Sequence, residues 1–198
     1  DDDNDALPDD SDSVNGNRTT INSSTIHAAS FNVAVNSSAN LSMLLTETLS
    51  INVSNGSRSL AQFYWNFSLG NLSLNFTIDV QNASSPFGGL VISGLRLQPN
   101  QTKNITISNL NGTINSTCIK DADVASLTNI SRSCNRANET LVTCPGTAAG
   151  YNCTLIEDSS LYLITNVSFT AAVEQCADAD ADGFYVSGCG SGDDCNDN

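Results

Sequence analysis

The last stretch of the chain spaces its aspartates as a loop that binds a hard cation would. Asp178, Asp180 and Asp182 alternate along the chain and are followed at once by Gly183. Alternate carboxylates can converge on one ion, the glycine permits a sharp turn, and the carbonyl of Phe184 falls at the next ligand position. Oxygen ligands that carry this much negative charge favour Ca²⁺. The spacing therefore predicts a calcium site.

This candidate loop departs from an EF-hand at one position. An EF-hand has a bidentate glutamate at loop position twelve, and Cys189 stands there in this chain. The missing oxygen ligands must therefore come from other residues, and further aspartates follow close by in the sequence. These additional candidate ligands are Asp193, Asp194 and Asp197.

The tail as a whole, from Cys176 to Asn198, combines aspartate spacing, glycines and three cysteines. In this combination it resembles the short metal-binding repeats named after the MopE copper-binding protein. It is also similar to the Asp-rich calcium repeats of thrombospondin type 3. The resemblance implies an extracellular metal-binding segment and concerns only these residues. Because the tail contains no His or Met, we expect Ca²⁺ rather than copper.

The N-terminal residues are acidic in the same manner, and the chain opens with the sequence DDDNDALP. In the repeats that the tail resembles, the last Asp-Cys segment runs on into further aspartates and a proline. Joined head to tail, the two ends of this chain would continue that pattern. We therefore expect Asp1, Asp3 and Asp5 to share Ca²⁺ with a neighbouring tail, either in a tandem polypeptide or between subunits. The alternative is a pair of disordered acidic tails, as runs of like charge often are.

Composition restricts the class of partner. The 198 residues include 21 Asp and Glu but only 7 Lys and Arg, which gives a net charge of −14. A chain this acidic cannot neutralise phosphates, so we expect no nucleic acid as a partner and no docking to anionic lipids. No run of eighteen apolar residues is present, so we expect no membrane insertion. The start at Asp1 suggests a processed product or a piece of something longer.

The cysteines indicate an oxidising compartment. All seven lie within the last 81 residues, no Cys-x-x-Cys pair occurs, and there is a single histidine. This arrangement favours disulfides over a zinc or redox site, and it predicts an extracellular, secreted or cell-surface protein. Cys118 with Cys134 and Cys144 with Cys153 would form local bridges, although connectivity cannot be deduced from sequence. One cysteine is left over from any complete pairing.

Residues 71–80 predict a half-buried strand with a polar outer face. Asn and hydroxyl residues alternate strictly with Leu, Phe, Ile and Val. Two Asn-x-Ser/Thr sequons, at Asn71 and Asn75, lie on the polar face. An acceptor Asn and a hydroxyl residue two positions later share one face of a strand, and the residue between them points inward. One pattern can therefore specify both a core strand and a sugar-bearing surface.

The sequons are far more frequent than composition predicts. The chain contains 25 Asn and eighteen sequons, whereas chance placement in this composition would give roughly 5 or 6. We therefore expect N-linked glycans rather than a merely polar surface. The candidate acceptors are Asn17, Asn22, Asn36, Asn40, Asn52, Asn55, Asn66, Asn71, Asn75, Asn82, Asn100, Asn104, Asn111, Asn115, Asn129, Asn138, Asn152 and Asn166.

Short segments rich in Val, Ile, Thr and Phe, separated by Gly, Asn and Ser turns, predict an all-β fold. We expect an antiparallel β-sandwich or jelly roll at residues 17–175, between an acidic arm at 1–16 and an irregular, disulfide-linked Asp-rich segment at 176–198. The alternating sequon patterns beginning at residues 36, 100 and 111 predict strands as well. The other predicted strands are Ile26–Val35, Leu45–Ser54, Leu60–Leu69, Leu90–Leu97, Glu139–Cys144, Tyr151–Ile156 and Leu161–Ala172.

The sequence offers little for catalysis, and we do not expect an enzyme. The only histidine, His27, has the surroundings of a structural residue, and nothing brings any two glutamates together. The predicted function is an extracellular structural glycoprotein that joins copies of itself into a calcium-stabilised filament or surface layer. The alternative is a calcium-dependent adhesin or carbohydrate-binding module. Its sugar-stacking side chains would be Tyr64, Trp65, Tyr151 and Tyr185.

Overall fold

The computed structural model describes residues 12–16, 19–23, 31–81, 87–110, 112, 114–131, 133–156, 158 and 160–175. Within these ranges nearly all regular structure is β-strand, and no α-helix occurs. The strands form antiparallel sheets with two disulfides, which confirms the predicted all-β sandwich class. The predicted Asp-rich segment at 176–198 lies outside the described residues.

The larger sheet has seven antiparallel strands. They are β2 (Phe31–Val35), β3 (Thr48–Asn55), β4 (Arg58–Asn66), β8 (Lys103–Ser108), β11 (Gly146–Ala148), β12 (Tyr151–Ile156) and β13 (Leu161–Val167). Their order across the sheet is β11-β12-β13-β8-β4-β3-β2. Strand β4 lies inside the sheet, between β3 and β8.

The smaller sheet has five antiparallel strands. They are β6 (Thr77–Val80), β7 (Gly89–Ser93), β9 (Ser116–Lys120), β10 (Glu139–Thr143) and β14 (Thr170–Glu174). Their order is β10-β9-β14-β7-β6. A short parallel pair, β1 (Val14–Asn15) with β5 (Leu72–Ser73), connects the N-terminal segment to the fold.

One main core lies between the sheets. Phe63, Trp65 and Tyr162 of the seven-stranded sheet belong to one buried cluster with Ile78 and Ile92 of the five-stranded sheet. Each apolar side chain buried in this way contributes roughly 1.5–3 kcal/mol relative to exposure. The indole Nε1 of Trp65 donates a hydrogen bond to the Gly70 carbonyl at 2.8 Å, so its polar atom is satisfied as well.

A second, smaller core covers the outer face of the five-stranded sheet. Val91 and Ala171 lie there with the Cys118–Cys134 disulfide, under the loop that carries Leu127 and Ile130. The other bridge joins Cys144 to Cys153, with 5.0 Å between their Cα atoms. Both predicted pairings are therefore confirmed. Sequence periodicity did not predict this second core, because a loop rather than a strand provides one side of it.

Several predicted strand boundaries were wrong. The pattern from Asn36 onward does not form a strand, because Asn36 and Ser37 have φ angles of +47° and +67° and turn the chain out of β2. Leu60–Leu69 ends at Asn66, and a 3₁₀ turn follows at Phe67–Leu69. Leu161–Ala172 is two strands in different sheets, since the register shifts between Ile164 and Val167 and Asn166 has a φ of +68°.

The chain enters and leaves the described fold at opposite ends of the sandwich. Ser13 hydrogen-bonds to Leu45 and Leu72, at the end where β3 begins and β4 finishes. Gln175 follows β14 at the other end, where the Glu174 carboxylate accepts from the Leu110 amide just beyond β8. About eight residues of strand lie between these levels, which corresponds to roughly 25 Å.

Candidate glycan-bearing surface and its flanking segments

No sequon asparagine in the described part of the chain is buried. Eleven are exposed and four are half-buried. The exposed group is Asn22, Asn36, Asn40, Asn71, Asn75, Asn100, Asn104, Asn115, Asn129, Asn138 and Asn166. The half-buried group is Asn52, Asn55, Asn66 and Asn152. Asn17, Asn82 and Asn111 lie outside the described residues. All fifteen described acceptors therefore reach the protein surface at least in part.

The predicted alternation of burial holds at residues 71–80, but the predicted single strand is wrong, because β5 (Leu72–Ser73) and β6 (Thr77–Val80) belong to different sheets and residues 74–76 between them are not strand. Asn71 and Asn75 are exposed, and the apolar residues that alternate with them are buried in the main core. The Asn115 sequon does not follow this rule. Its hydroxyl residue, Thr117, is fully buried, and its Oγ1 lies 3.7 Å from the Cys144 sulfur. The prediction that acceptor and hydroxyl share one face is wrong here, because Asn115 precedes β9 and only Thr117 is inside it.

Two sequons have their side chains fixed by a local turn. The Asn66 Oδ1 accepts hydrogen bonds from the Ser68 amide at 3.0 Å and from the Ser68 hydroxyl at 2.7 Å. The Asn40 Oδ1 accepts from the Ser42 amide at 3.2 Å. Asn side chains commonly bond to the backbone two residues later in this way. In both sequons the carboxamide oxygen of the asparagine therefore accepts a hydrogen bond from the serine of the same sequon.

The outer face of the seven-stranded sheet carries sequon asparagines in one cross-strand row. Asn52 on β3 and Asn104 on β8 both pair with Gln62 on β4, from opposite sides. Strands lie about 4.8 Å apart, so the two acceptors are about 10 Å apart. Asn152 on β12 lies on the same sheet, opposite Thr165 of β13. The sheet therefore presents a row of acceptors.

A charged cluster that sequence reasoning missed lies where β13 crosses to β14. Lys103 is buried, and its Nζ donates to the Ser168 carbonyl at 2.6 Å. The amide of Phe169, which belongs to the same peptide group, donates to the Asp121 carboxylate. The other oxygen of Asp121 accepts from the Tyr151 hydroxyl at 2.9 Å. A cation and an anion therefore hold the two sides of the peptide that joins the two sheets.

Burial lowers the pKa of Lys103 to about 8, although the nearby Asp121 and Asp123 carboxylates act in the opposite direction. Burial also raises the pKa of Tyr151 to about 12, and its hydrogen bond to Asp121 adds to this effect. The burial of Lys103 could have been predicted from the sequence. It stands at the inward position of β8, two residues before Ile105, and a lysine there must be buried or break the strand pattern.

Glu174 is a buried carboxylate at the far end of the same strand, β14. Its Oε2 accepts from the Gly88 amide at 2.9 Å and from the Leu110 amide at 3.1 Å. Tyr162 lies nearby, and burial, followed by the charge and hydrogen bond of Glu174, raises its pKa. The Glu174 carboxylate therefore holds the segments that contain Gly88 and Leu110 against the end of β14, which is a structural role.

The calcium prediction lies outside the described residues. The proposed ligands there are Asp1, Asp3, Asp5, Asp178, Asp180, Asp182, Phe184, Asp193, Asp194 and Asp197. Among the residues that the structure does describe, no three His, Cys, Asp or Glu side chains gather as a metal site would require. The calcium site remains a prediction from sequence.

The side chains proposed for sugar stacking have different surroundings. Trp65 is buried in the core, and Tyr151 is half-buried with its hydroxyl on Asp121. Tyr64 is 65% exposed. Tyr185, like His27, lies outside the described residues. An open groove of about 830 Å³ lies at the β13–β14 crossing, and its lining includes Phe169, which is 43% exposed.

The two disulfides are compatible with an extracellular or otherwise oxidising environment. None of the described segments forms a helix with the length and apolar character needed to cross a membrane. The chain matches no family model, no curated protein and no solved structure.

Proposed function

We propose that the chain is an extracellular structural glycoprotein. It is the subunit or repeat unit of a filament or surface layer, it carries N-linked glycans, and Ca²⁺ links its acidic ends to those of neighbouring copies. The observation that carries this proposal is the accessibility of every described sequon asparagine, fifteen positions in all. A chain with that many acceptors on its surface has a sheath of sugars as its outer layer, which suits a protein exposed outside the cell.

The path of the chain supports an assembly with a direction. It enters the described fold beside Leu45 and leaves it beyond Glu174, at the opposite end of the sandwich. The acidic segments 1–11 and 176–198 adjoin these two points. The tail of one copy can therefore meet the head of the next, while the two ends of one copy start roughly 25 Å apart.

Calcium explains why acidic ends would associate. Carboxylates that approach one another repel unless a cation lies between them, and oxygen ligands of this charge suit Ca²⁺. Copies of the chain are the partners in this arrangement. Calcium and N-linked glycans are the only non-protein components that the proposal requires.

Removal of calcium tests the assembly. Native assemblies treated with EGTA and then examined by electron microscopy should come apart, and added Ca²⁺ should restore them. The triple variant Asp178→Asn, Asp180→Asn, Asp182→Asn should fail to assemble. A control that neutralises two exposed acids of the described fold, Glu47→Gln with Asp158→Asn, should assemble normally. Assemblies that survive EGTA unchanged would refute the calcium junction.

An adhesin is the second candidate, and the groove beside Phe169 favours it. Arg96, Gln98, Gln101 and Asp123 also line this groove, so hydrogen-bonding groups surround an exposed ring. This combination suits a sugar. Binding of the deglycosylated protein to a glycan array would support the adhesin if Phe169→Ala abolished it. An array with no specific signal would exclude it.

A further inference from the structure

Tyr64 is an exposed aromatic residue on the outer face of the seven-stranded sheet, where the residues nearest to it are polar. It lies on β4 with 65% of its surface exposed, while its neighbours in the strand, Phe63 and Trp65, are buried in the core. Ser50 on β3 lies directly opposite it. The Tyr64 side chain is therefore accessible to whatever covers this face of the sheet.

Three sequon asparagines surround this ring. Asn66 is two residues further along β4, on the same face and about 7 Å away. Asn52 and Asn104 flank Gln62, the same-face residue two positions before Tyr64. Each of these acceptors is therefore an immediate or diagonal neighbour of the ring.

Asn66 is the acceptor whose side chain is best fixed. Its Oδ1 is held by the amide and hydroxyl of Ser68, at 3.0 Å and 2.7 Å. Its backbone amide and carbonyl bond to the side chain of Gln98, at 3.0 Å and 2.8 Å. The oxygen of the carboxamide thus faces the 3₁₀ turn, and its nitrogen, where a glycan attaches, is directed away from that turn.

We propose that the first sugar of a glycan on Asn66 packs against the ring of Tyr64, an inference that rests on the glycosylation proposed above. A pyranose has an apolar face of C–H groups, and an exposed aromatic ring is a flat apolar surface that this face can cover. The contact removes apolar area of both groups from water, which stabilises the folded protein. Tyr64 is then a carbohydrate-binding residue for the protein's own glycan.

An ordinary β-sheet preference would also place tyrosine in a strand. That preference would act equally with and without sugar, whereas the proposed contact exists only when Asn66 is glycosylated. The effect of removing the ring must therefore depend on the glycan.

The test compares melting temperatures of wild type and Tyr64→Ser, each from a glycosylating host and from one without N-glycosylation. Peptide mass spectrometry first establishes which asparagines carry glycan. We expect Tyr64→Ser to lower the melting temperature by about 2–4 °C more in the glycosylated protein than in the bare one. Tyr64→Phe keeps the ring and should behave like wild type. The same comparison in an Asn66→Gln background should remove the difference, whereas an Asn71→Gln background should leave it.

The outcomes separate the two proposals. Glycan on Asn66 with an equal effect of Tyr64→Ser in both hosts would overturn the contact and leave the glycoprotein proposal standing. Glycan on other acceptors but not on Asn66 would do the same. Native protein with no glycan on any sequon would overturn both.

Discussion

The buried lysine gives the fold a pH dependence opposite to that of a lysine whose pKa is raised by an ion pair. Lys103 lies in the core with its Nζ on the Ser168 carbonyl, and burial lowers its pKa from 10.5 to about 8. Between these two values the unfolded chain holds a proton that the folded chain has released. Stability must therefore rise with pH across this window. Below about pH 8 the folded protein carries the full cost of a buried charge.

The magnitude follows from the difference between the two pKa values. A displacement from 10.5 to about 8 corresponds to about 3 kcal/mol against the charged form. Between pH 7 and pH 9.5 the buried lysine loses its proton, and the free energy of unfolding of the wild type should therefore increase by about 2 kcal/mol. Lys103→Met removes the charge and retains the length of the side chain, but it leaves the Ser168 carbonyl without its donor, at a cost of about 1–2 kcal/mol. We expect the variant to be about 1–2 kcal/mol more stable than wild type at pH 7.

Urea unfolding at pH 7 and pH 9.5 measures both effects. The advantage of Lys103→Met at pH 7 should disappear at pH 9.5, because only the wild type gains stability. Arg96→Met is the matched control, since it removes an exposed positive charge from the groove beside Ser168. It should change stability equally at both pH values. A variant whose difference from wild type is the same at pH 7 and pH 9.5 would refute the assignment of Lys103 as a buried charge.

Three further predictions concern bonds that hold the sandwich. Removing one bridge by Cys144→Ala with Cys153→Ala should lower the free energy of unfolding by about 3 kcal/mol in denaturant titrations, and no loss would mean that the pair is unbonded. Glu174→Ala leaves the buried Gly88 amide and the partly buried Leu110 amide without an acceptor and should cost about 3 kcal/mol. An effect below 0.5 kcal/mol would show that water replaces the carboxylate. The pKa of Tyr151 is raised from its ordinary value of 10.0 to about 12, so the free energy of unfolding should fall as pH rises between these values. In Tyr151→Phe this fall should be smaller between pH 10 and pH 11.

Strand periodicity predicted the fold class because burial repeats every two residues in a strand. At residues 71–80 the alternation placed Leu72 and Phe76 correctly in the core. It failed at Leu161–Ala172, where the apolar pattern continues through the crossing from one sheet to the other. A change of sheet depends on a bulge and on the peptide held by Lys103 and Asp121, and both are long-range features.

The surface could be predicted from the sequence better than the polar interior. Sequons are local, so all acceptors could be named from the chain, and their accessibility followed because asparagine is rarely buried in strands. The partners of Lys103 and Glu174 are 65 and 86 residues away along the chain. No local pattern specifies such pairs. The disulfide pairs could be proposed because Cys118–Cys134 and Cys144–Cys153 are only 16 and 9 residues apart.

Mass spectrometry of peptides from the native protein tests the central claim most directly. The account predicts a carbohydrate mass on most of the sequon asparagines, including the exposed Asn71 and Asn75 on either side of β5 and Asn66 beside Tyr64. Native peptides that show these asparagines with no added mass would contradict it.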